Sequence, residues 1–303
     1  MKLFQRALPQ STTPTWFTAA LQHTPRHSRI EVEGATISLR TWGRPELPPL
    51  LLVHGGGGHC GWWDHIAPFF TRTHHVVAPD LSGHGDSDRR PAYSWDLWAR
   101  ELLAAATAQS GAGGRPIVIG HSMGGWVAAI AASHYGSEIN AVLIIDPPLP
   151  GLVPDTVLGR QHPQVTRHFQ DKNSILASFE PIPFQDVVLP YIGRHLAAES
   201  IRRDERGWTW KFDPAVFNGG LRFATADDDD IFEQTIAEIR CRIGYVWCES
   251  GLVPAPMAEK IRAYFQLRGP FVELACAGHH PMLDQPLPLV ATLRTLLEFW
   301  SIT

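Results

Sequence analysis

Pro116-Ile117-Val118-Ile119-Gly120-His121-Ser122-Met123-Gly124-Gly125 is the stretch whose reading decides the fold. An apolar run too short for a helix, Pro116 to Ile119, enters a Gly-x-Ser-x-Gly turn. An Ala-rich segment of helical character, Gly124 to Ser133, leaves it. Strand, sharp bend and helix in that order are the context in which a serine is held up at the end of a parallel sheet. Glycines two before and two after Ser122 let strand and helix come close enough to strain the bend. The helix start then aims the Met123 N–H at any oxyanion that develops beside the serine.

Working outward, short continuous apolar runs alternate with longer helix-like patterns. Pro49 to Val53, His75 to Ala78, Ala141 to Ile145, Ile243 to Trp247 and Phe271 to Ala275 read as further buried strands. Ile30 to Trp42 alternates and reads as an antiparallel strand pair at the sheet edge. Trp95 to Gln109, Pro256 to Gln266 and Pro286 to Trp300 complete the helices, with Pro at or near the start of the last two. The expected fold class is therefore α/β, a mostly parallel sheet with helices on both faces. Polar and Gly-rich turns fall at the carboxyl ends of the strands, the edge where such sheets carry ligand sites.

Residues 148–240 break the alternation with many prolines and scattered aromatics. They read as a helical insertion over the carboxyl edge, between core segments 1–147 and 241–303. The run Asp227 to Asp230 reads as the acidic start of a helix, favoured by capping and dipole, not as a metal site.

Composition excludes several classes. With 303 residues, 44% of them hydrophobic and 18% charged, the chain can bury a large core, which rules out disorder and a disulfide-stapled miniprotein. Net charge is −4, from 26 basic and 30 acidic residues, and no basic stripe is present, so no nucleic-acid partner is expected. Cys60, Cys241, Cys248 and Cys276 have neither metal-ligand nor framework spacing and read as free thiols. Pro9 and the polar run Gln10 to Thr13 interrupt the basic amino terminus before any signal-peptide core forms. No stretch reaches the roughly 18 apolar residues of a membrane helix. A soluble, cytoplasmic protein with no membrane partner is the expectation.

Serine needs a base. His279 follows the run Phe271 to Ala275, shares a turn with Gly278 and precedes the last helix, which puts it on the rim of Ser122. His280 competes with it, and adjacent residues after a strand point apart. The doubled glycines Gly55 to Gly58 are not followed by Lys-Ser/Thr, so a phosphate loop is rejected. His54, His59 and Trp126 are candidates to line an apolar pocket, while Trp62 and Trp63 read as core.

Four stretches together resemble the cap-containing branch of the α/β-hydrolase superfamily, which includes esterases, epoxide hydrolases and dehalogenases. They are Leu51 to Gly56, Asp80 to Ser87, Gly120 to Gly125 and Gly278 to Pro286, within residues 28–147 and 241–300. The resemblance implies an eight-stranded sheet with a helical cap. It selects His279 over His280 as base, gives Gly56 the second oxyanion N–H, and makes Asp80 to Ser87 a structural turn, so His84 is not catalytic. It also locates a departure. The family most often places its acid in the turn after the penultimate strand, and there this sequence has Gly251, with Glu249 nearby. Some relatives place the acid at the end of the strand after the nucleophile helix, where Asp146 stands, and Asp146 is favoured over Glu249.

The expected function is serine hydrolysis of a carboxylic ester, lactone or thioester through an acyl-enzyme. The substrate would be a small molecule with an apolar acyl or aromatic part, and no metal or organic cofactor is implied. Epoxide hydrolases and dehalogenases of this fold need a carboxylate nucleophile, which Ser122 is not. The alternative is a cofactor-independent dioxygenase or C–C bond-cleaving enzyme using the His–Asp pair as base.

Overall fold

The computed structural model describes residues 13–109, 114–148, 165–217, 228–266 and 268–302. Helix α1 (Thr15–Gln22) precedes a hairpin of β1 (Arg26–Val32) and β2 (Ala35–Trp42). Its two-residue turn, Glu33 and Gly34, has φ of 46° and 76°, the left-handed pair that matches the twist of a tight hairpin. Then follow β3 (Pro49–Val53), β4 (His75–Pro79), α2 (Trp95–Gln109), β5 (Ile117–His121), α3 (Met123–Tyr135) and β6 (Ala141–Ile145). The next segment carries α4 (Lys172–Ala177), α5 (Pro190–Glu199), β7 (Ile201–Asp204), β8 (Gly207–Trp210) and α6 (Asp228–Glu238). The chain closes with β9 (Arg242–Ser250), α7 (Ala255–Phe265), β10 (Phe271–Gly278), α8 (Pro281–Asp284) and α9 (Pro286–Ile302).

Eight strands form one sheet in the order β1-β2-β4-β3-β5-β6-β9-β10. β2 runs antiparallel to β1 and β4, and the other pairs are parallel. Alternate residues of the central strands feed two separate cores, which is why those strands are apolar throughout. Leu51, Val53, Val118, Val142 and Ile144 face one core, with Trp98 of α2, Val127 of α3 and Ile261 of α7. Leu50, Leu52, Ile119, Leu143 and Ile145 face the other, with Phe17 of α1 and Leu293 of α9. Parallel pairing brings the carboxyl ends of β3, β5, β6, β9 and β10 to one edge, and with them the residues that follow each strand.

The segment after β6 is not purely helical. β7 and β8 form an antiparallel hairpin, Ile201 opposite Trp210, in a small core with Phe169 and Ile175. These strands are only four residues long, and Arg202, Arg203 and Asp204 hide the alternation. Its last helix, α6, packs on α3, and Ile236 belongs to the core of the sheet. The Asp228 end of α6 agrees with the acidic start read from Asp227 to Asp230, although Asp227 lies outside the described residues. All four cysteines are free. No helix among the described residues is long and apolar enough to cross a membrane.

A buried ionic network ties this segment to the sheet. Arg40 of β2 donates to Asp64 and to Glu199 of α5, each at 2.6 Å, and His195 of α5 also meets Asp64 at 3.0 Å. The side chains of Arg40 and Asp64 are each 8% exposed, against 36% for Glu199. Removing one member of a buried pair strands the other charge, whereas a half-exposed partner is readily replaced by water. Arg40→Met is therefore expected to cost about 3 kcal/mol in urea unfolding, and Glu199→Gln about 1 kcal/mol or less. Equal small losses for both would contradict the network's role.

Candidate active site

Ser122 sits between the last residue of β5 and the first of α3, with φ 52° and ψ −120°. The bend is this sharp because the two elements nearly touch. A Cβ on Gly120 would lie 2.1 Å from the Gly124 carbonyl oxygen, and one on Gly124 would lie 2.4 Å from that of His54. Hydrogen bonds fix the strained residue on both sides: its N–H donates to Ile145 at 2.9 Å, and its carbonyl accepts from Gly125 at 2.9 Å. A conformation costing on the order of 1–3 kcal/mol persists because the packing around it allows no other.

From the neighbouring strand ends come Asp146, after β6, and His279, after β10. His279 Nδ1 is 2.8 Å from Asp146 Oδ2, and its Nε2 is 2.9 Å from Ser122 Oγ. A carboxylate acceptor on one side fixes the tautomer: Nδ1–H donates to Asp146, and Nε2 accepts from the Ser122 hydroxyl. Asp146 is fully buried and, like Ser122, takes a positive φ, 49°. Its carboxylate also accepts from the backbone N–H groups of Cys248 at 3.2 Å and Leu252 at 3.1 Å. Burial pushes its pKa well above the ordinary aspartate value, and those two amides oppose the shift. Burial likewise pulls His279 down to about 3, so the imidazole is neutral.

The departure at Gly251 now has a physical meaning. A Cβ there would lie 2.2 Å from Asp146 Oδ2. The turn after β9 lacks a side chain at the spot that the Asp146 carboxylate fills. Glu249 is not part of this group: it is exposed and accepts from the Cys276 N–H at 2.7 Å, where β10 bulges with Cys276 at φ 57°.

The loop after β3 lies across from the start of α3. A Cβ on Gly56 would stand 3.7 Å from Met123 Sδ and 3.1 Å from the ring of Phe217. Among the described residues, neither the Gly56 nor the Met123 amide donates to a protein acceptor. His54, His59 and Trp126 are buried, and their polar atoms are already used. His54 Nδ1–H donates to Gly55 O at 2.8 Å and its Nε2 accepts from Leu81 N–H at 3.1 Å. His59 accepts from Gly61 N–H at 3.1 Å and donates to Ser200 Oγ at 2.8 Å. Trp126 donates to Pro148 O at 3.1 Å. The two histidines brace loops, a task that sequence spacing does not reveal.

Two residues escaped the sequence reading. His121, inside the quoted motif, donates through Nε2–H to the His279 carbonyl at 2.7 Å. Gln185 accepts from the His280 N–H at 2.7 Å across a separation of 95 residues, which no local pattern signals. His280 itself donates through Nε2–H to Pro183 O at 3.2 Å.

Among the described residues, two clusters have metal-ligand chemistry, with ligand atoms within 4.8 Å of one another: His121, His279 and His280, and His59, Cys60 and Asp80. In the second, the Asp80 oxygens accept from Cys60 N–H at 2.6 Å and Asp86 N–H at 2.8 Å, and both His59 nitrogens are engaged. In the first, both nitrogens of His279 are engaged, while Nδ1 of His121 and of His280 have no protein partner.

The α/β-hydrolase family model matches residues 50–293, most of the chain and all of the strand ends just described. The chain belongs to the alpha/beta hydrolase family. An esterase of Mycobacterium tuberculosis is 24% identical over 280 residues, covering 88% of each chain. A monoglyceride lipase of Rattus norvegicus is 27% identical over 147 residues, 46% of this chain and 48% of the lipase. Among solved structures, E-2-(acetamidomethylene)succinate hydrolase superposes with a TM-score of 0.78 at 19% identity, over 90% of this chain and 99% of that one. At that identity the superposition speaks for the fold alone.

Burial of so many imidazoles in this hydrolase has a consequence for stability. His54, His59, His65, His84, His121, His279 and His280 are buried, and burial lowers the pKa of each, His65 to about 4. Below the ordinary value of 6.5 the unfolded chain binds protons that the native chain refuses. Stability therefore falls with falling pH, by on the order of 1.4 kcal/mol per pH unit for each such group until its native pKa is reached. The raised carboxyls of Glu101, Asp146 and Asp284 act in the opposite sense, but three groups against seven do not reverse the trend. Urea midpoints are expected to drop steeply between pH 7 and pH 5; a flat profile over that range would contradict the burial of these rings as neutral groups. A second test is local: Gly251→Ala puts a methyl against the Asp146 carboxylate and is expected to lower ester turnover by about 100-fold while leaving the thermal midpoint within a few degrees. Unchanged turnover would show that the carboxylate has room to move.

Proposed function

We propose that this alpha/beta hydrolase cleaves carboxylic esters or related acyl bonds through an acyl-enzyme on Ser122. The hydrogen-bonded line Ser122–His279–Asp146 carries the reading, at 2.9 Å and 2.8 Å. His279 Nε2 takes the hydroxyl proton as Ser122 Oγ attacks the acyl carbon, and the carbonyl oxygen becomes an oxyanion. The amides of Gly56 and Met123 are its donors, aimed from a loop and a helix start that need no rearrangement. The C–O bond to the leaving group then breaks, and the alcohol leaves with the proton from His279. A water molecule, deprotonated by the same imidazole, attacks the acyl carbon, and the acid departs as the proton returns to Ser122. Asp146 holds the imidazole in the required tautomer and offsets its transient positive charge; Glu249 plays no part.

Residues 148–240 act as a cap over the carboxyl edge. Phe217 from this segment, against Gly56, supports a substrate with an apolar acyl or aromatic portion. The esterase and lipase names of the two relatives support ester chemistry. The acid's position after β6 favours one second reading, cofactor-independent oxygenation or C–C cleavage with His279 and Asp146 as base and Ser122 only binding substrate.

Turnover of a panel of aryl esters and lactones of graded acyl length tests the proposal. Ser122→Ala is expected to abolish hydrolysis, Asp146→Asn to lower kcat by on the order of 10⁴-fold, and Glu249→Gln to leave it within about twofold. Severe loss in Glu249→Gln with a mild effect of Asp146→Asn would reverse the acid assignment. Substrate conversion that survives Ser122→Ala would favour the second reading.

A further inference from the structure

The loop that carries His279 is held from several directions. Asp284 Oδ2 accepts from Gly278 N–H at 2.6 Å, and His121 donates to His279 O at 2.7 Å. These braces belong to the sheet and the helices beside it. The brace on the next residue comes from the segment after β6. Gln185 Oε1 accepts from His280 N–H at 2.7 Å, and its Nε2 donates to Val187 O at 2.9 Å and, weakly, to His280 O at 3.5 Å. Around this contact His280 donates to Pro183 O at 3.2 Å, and Leu189 N–H donates to Leu283 O at 2.9 Å. A stretch of the insertion is thus fastened along the His279 loop, with Gln185 as the side chain that bonds both the amide and the carbonyl of His280.

Gly278 is the seat for this side chain. A Cβ there would lie 2.5 Å from Gln185 Cδ, 2.6 Å from its Oε1 and 2.9 Å from its Nε2. Gly278 is not in the left-handed region, so its conformation does not demand glycine; the close approach of Gln185 does. Two residues far apart in sequence are therefore matched, one long and amide-bearing, the other without a side chain.

We propose that Gln185 is a positioning residue for the general base: seated on Gly278, it holds the His279–His280 backbone where Nε2 meets the Ser122 hydroxyl, and so couples the insertion to the reaction. This inference rests on His279 being the base in the proposed function. A shift of about 1 Å in the base costs on the order of 100-fold in rate without removing a substrate contact. Gln185 acts through the backbone of its neighbour and touches no reacting atom.

The test combines Gln185→Ala, Gly278→Ala and the double variant, measured as kcat and KM for an aryl ester together with thermal midpoints, alongside Ser122→Ala. Gln185→Ala is expected to lower kcat by between about 10- and 100-fold, with KM within about twofold and the midpoint little changed. Gln185→Glu keeps the acceptor for His280 N–H and is expected to recover part of the lost kcat. Gly278→Ala, which drives a methyl into the glutamine, is expected to be at least as impaired. Adding Gln185→Ala to Gly278→Ala removes the clash, so the double variant is expected to match Gln185→Ala alone, not the product of the two losses. Wild-type kcat in Gln185→Ala, or losses that multiply in the double variant, would overturn the proposal. If Gly278→Ala fails to fold, Gln185→Ala against Gln185→Glu still decides. Full activity in Ser122→Ala would instead overturn the underlying reading of the site, a different result from full activity in Gln185→Ala.

Discussion

A fully buried carboxylate, that of Asp146, is the constraint on which the rest of the site depends. A charge with no access to water is tolerated only where donors surround it. Here they are the Cys248 amide of β9, the Leu252 amide of the turn that follows it, and the Nδ1–H of His279. Meeting that requirement fixes the imidazole's tautomer and direction, which in turn decides what Nε2 can do to Ser122. It also dictates the turn itself, since Gly251 leaves the space that the carboxylate occupies. The acid and the vacancy beside it are one structural solution, distributed over two adjacent strands.

Parallel strand pairing makes this convergence possible. β5, β6, β9 and β10 all release their chains at the same edge, and β6 stands between β5 and β9. Ser122 and Asp146, each following a strand, both take positive φ, an unfavourable backbone imposed twice within one small region. Two apolar cores on either face of the sheet hold the strand ends rigidly enough to keep both strained residues in place. Most of the polar side chains around the site serve the same end. His54, His59 and His121 spend their hydrogen bonds on loop carbonyls, amides and a hydroxyl, not on open space.

The central part of this architecture was legible because it is local. Gly120 to Gly124 encodes the bend through the absence of side chains at two positions, and continuous Val, Ile and Leu mark strands covered on both faces. The edge hairpin was readable for the opposite reason, its alternation. The segment after β6 was much less so: the charged residues of β7 hide its pairing, and Gln185 meets His280 across a separation of 95 residues. Gly251 was visible as a departure from the family pattern, but its purpose emerges only when Asp146 is seen filling the gap. His54 and His59 are legible as neighbours of the site, whereas the loop hydrogen bonds they make are not.

These features make Ser122 the atom-level focus of the account, its hydroxyl hydrogen-bonded to an imidazole that three strand ends hold in line. Treatment of the folded protein with a fluorophosphonate, followed by peptide mass analysis, interrogates that hydroxyl directly. One adduct per chain on the peptide containing Ser122, lost when the protein is first unfolded in urea, is the expected result. No adduct on the folded protein, or an adduct on a different residue, would contradict it.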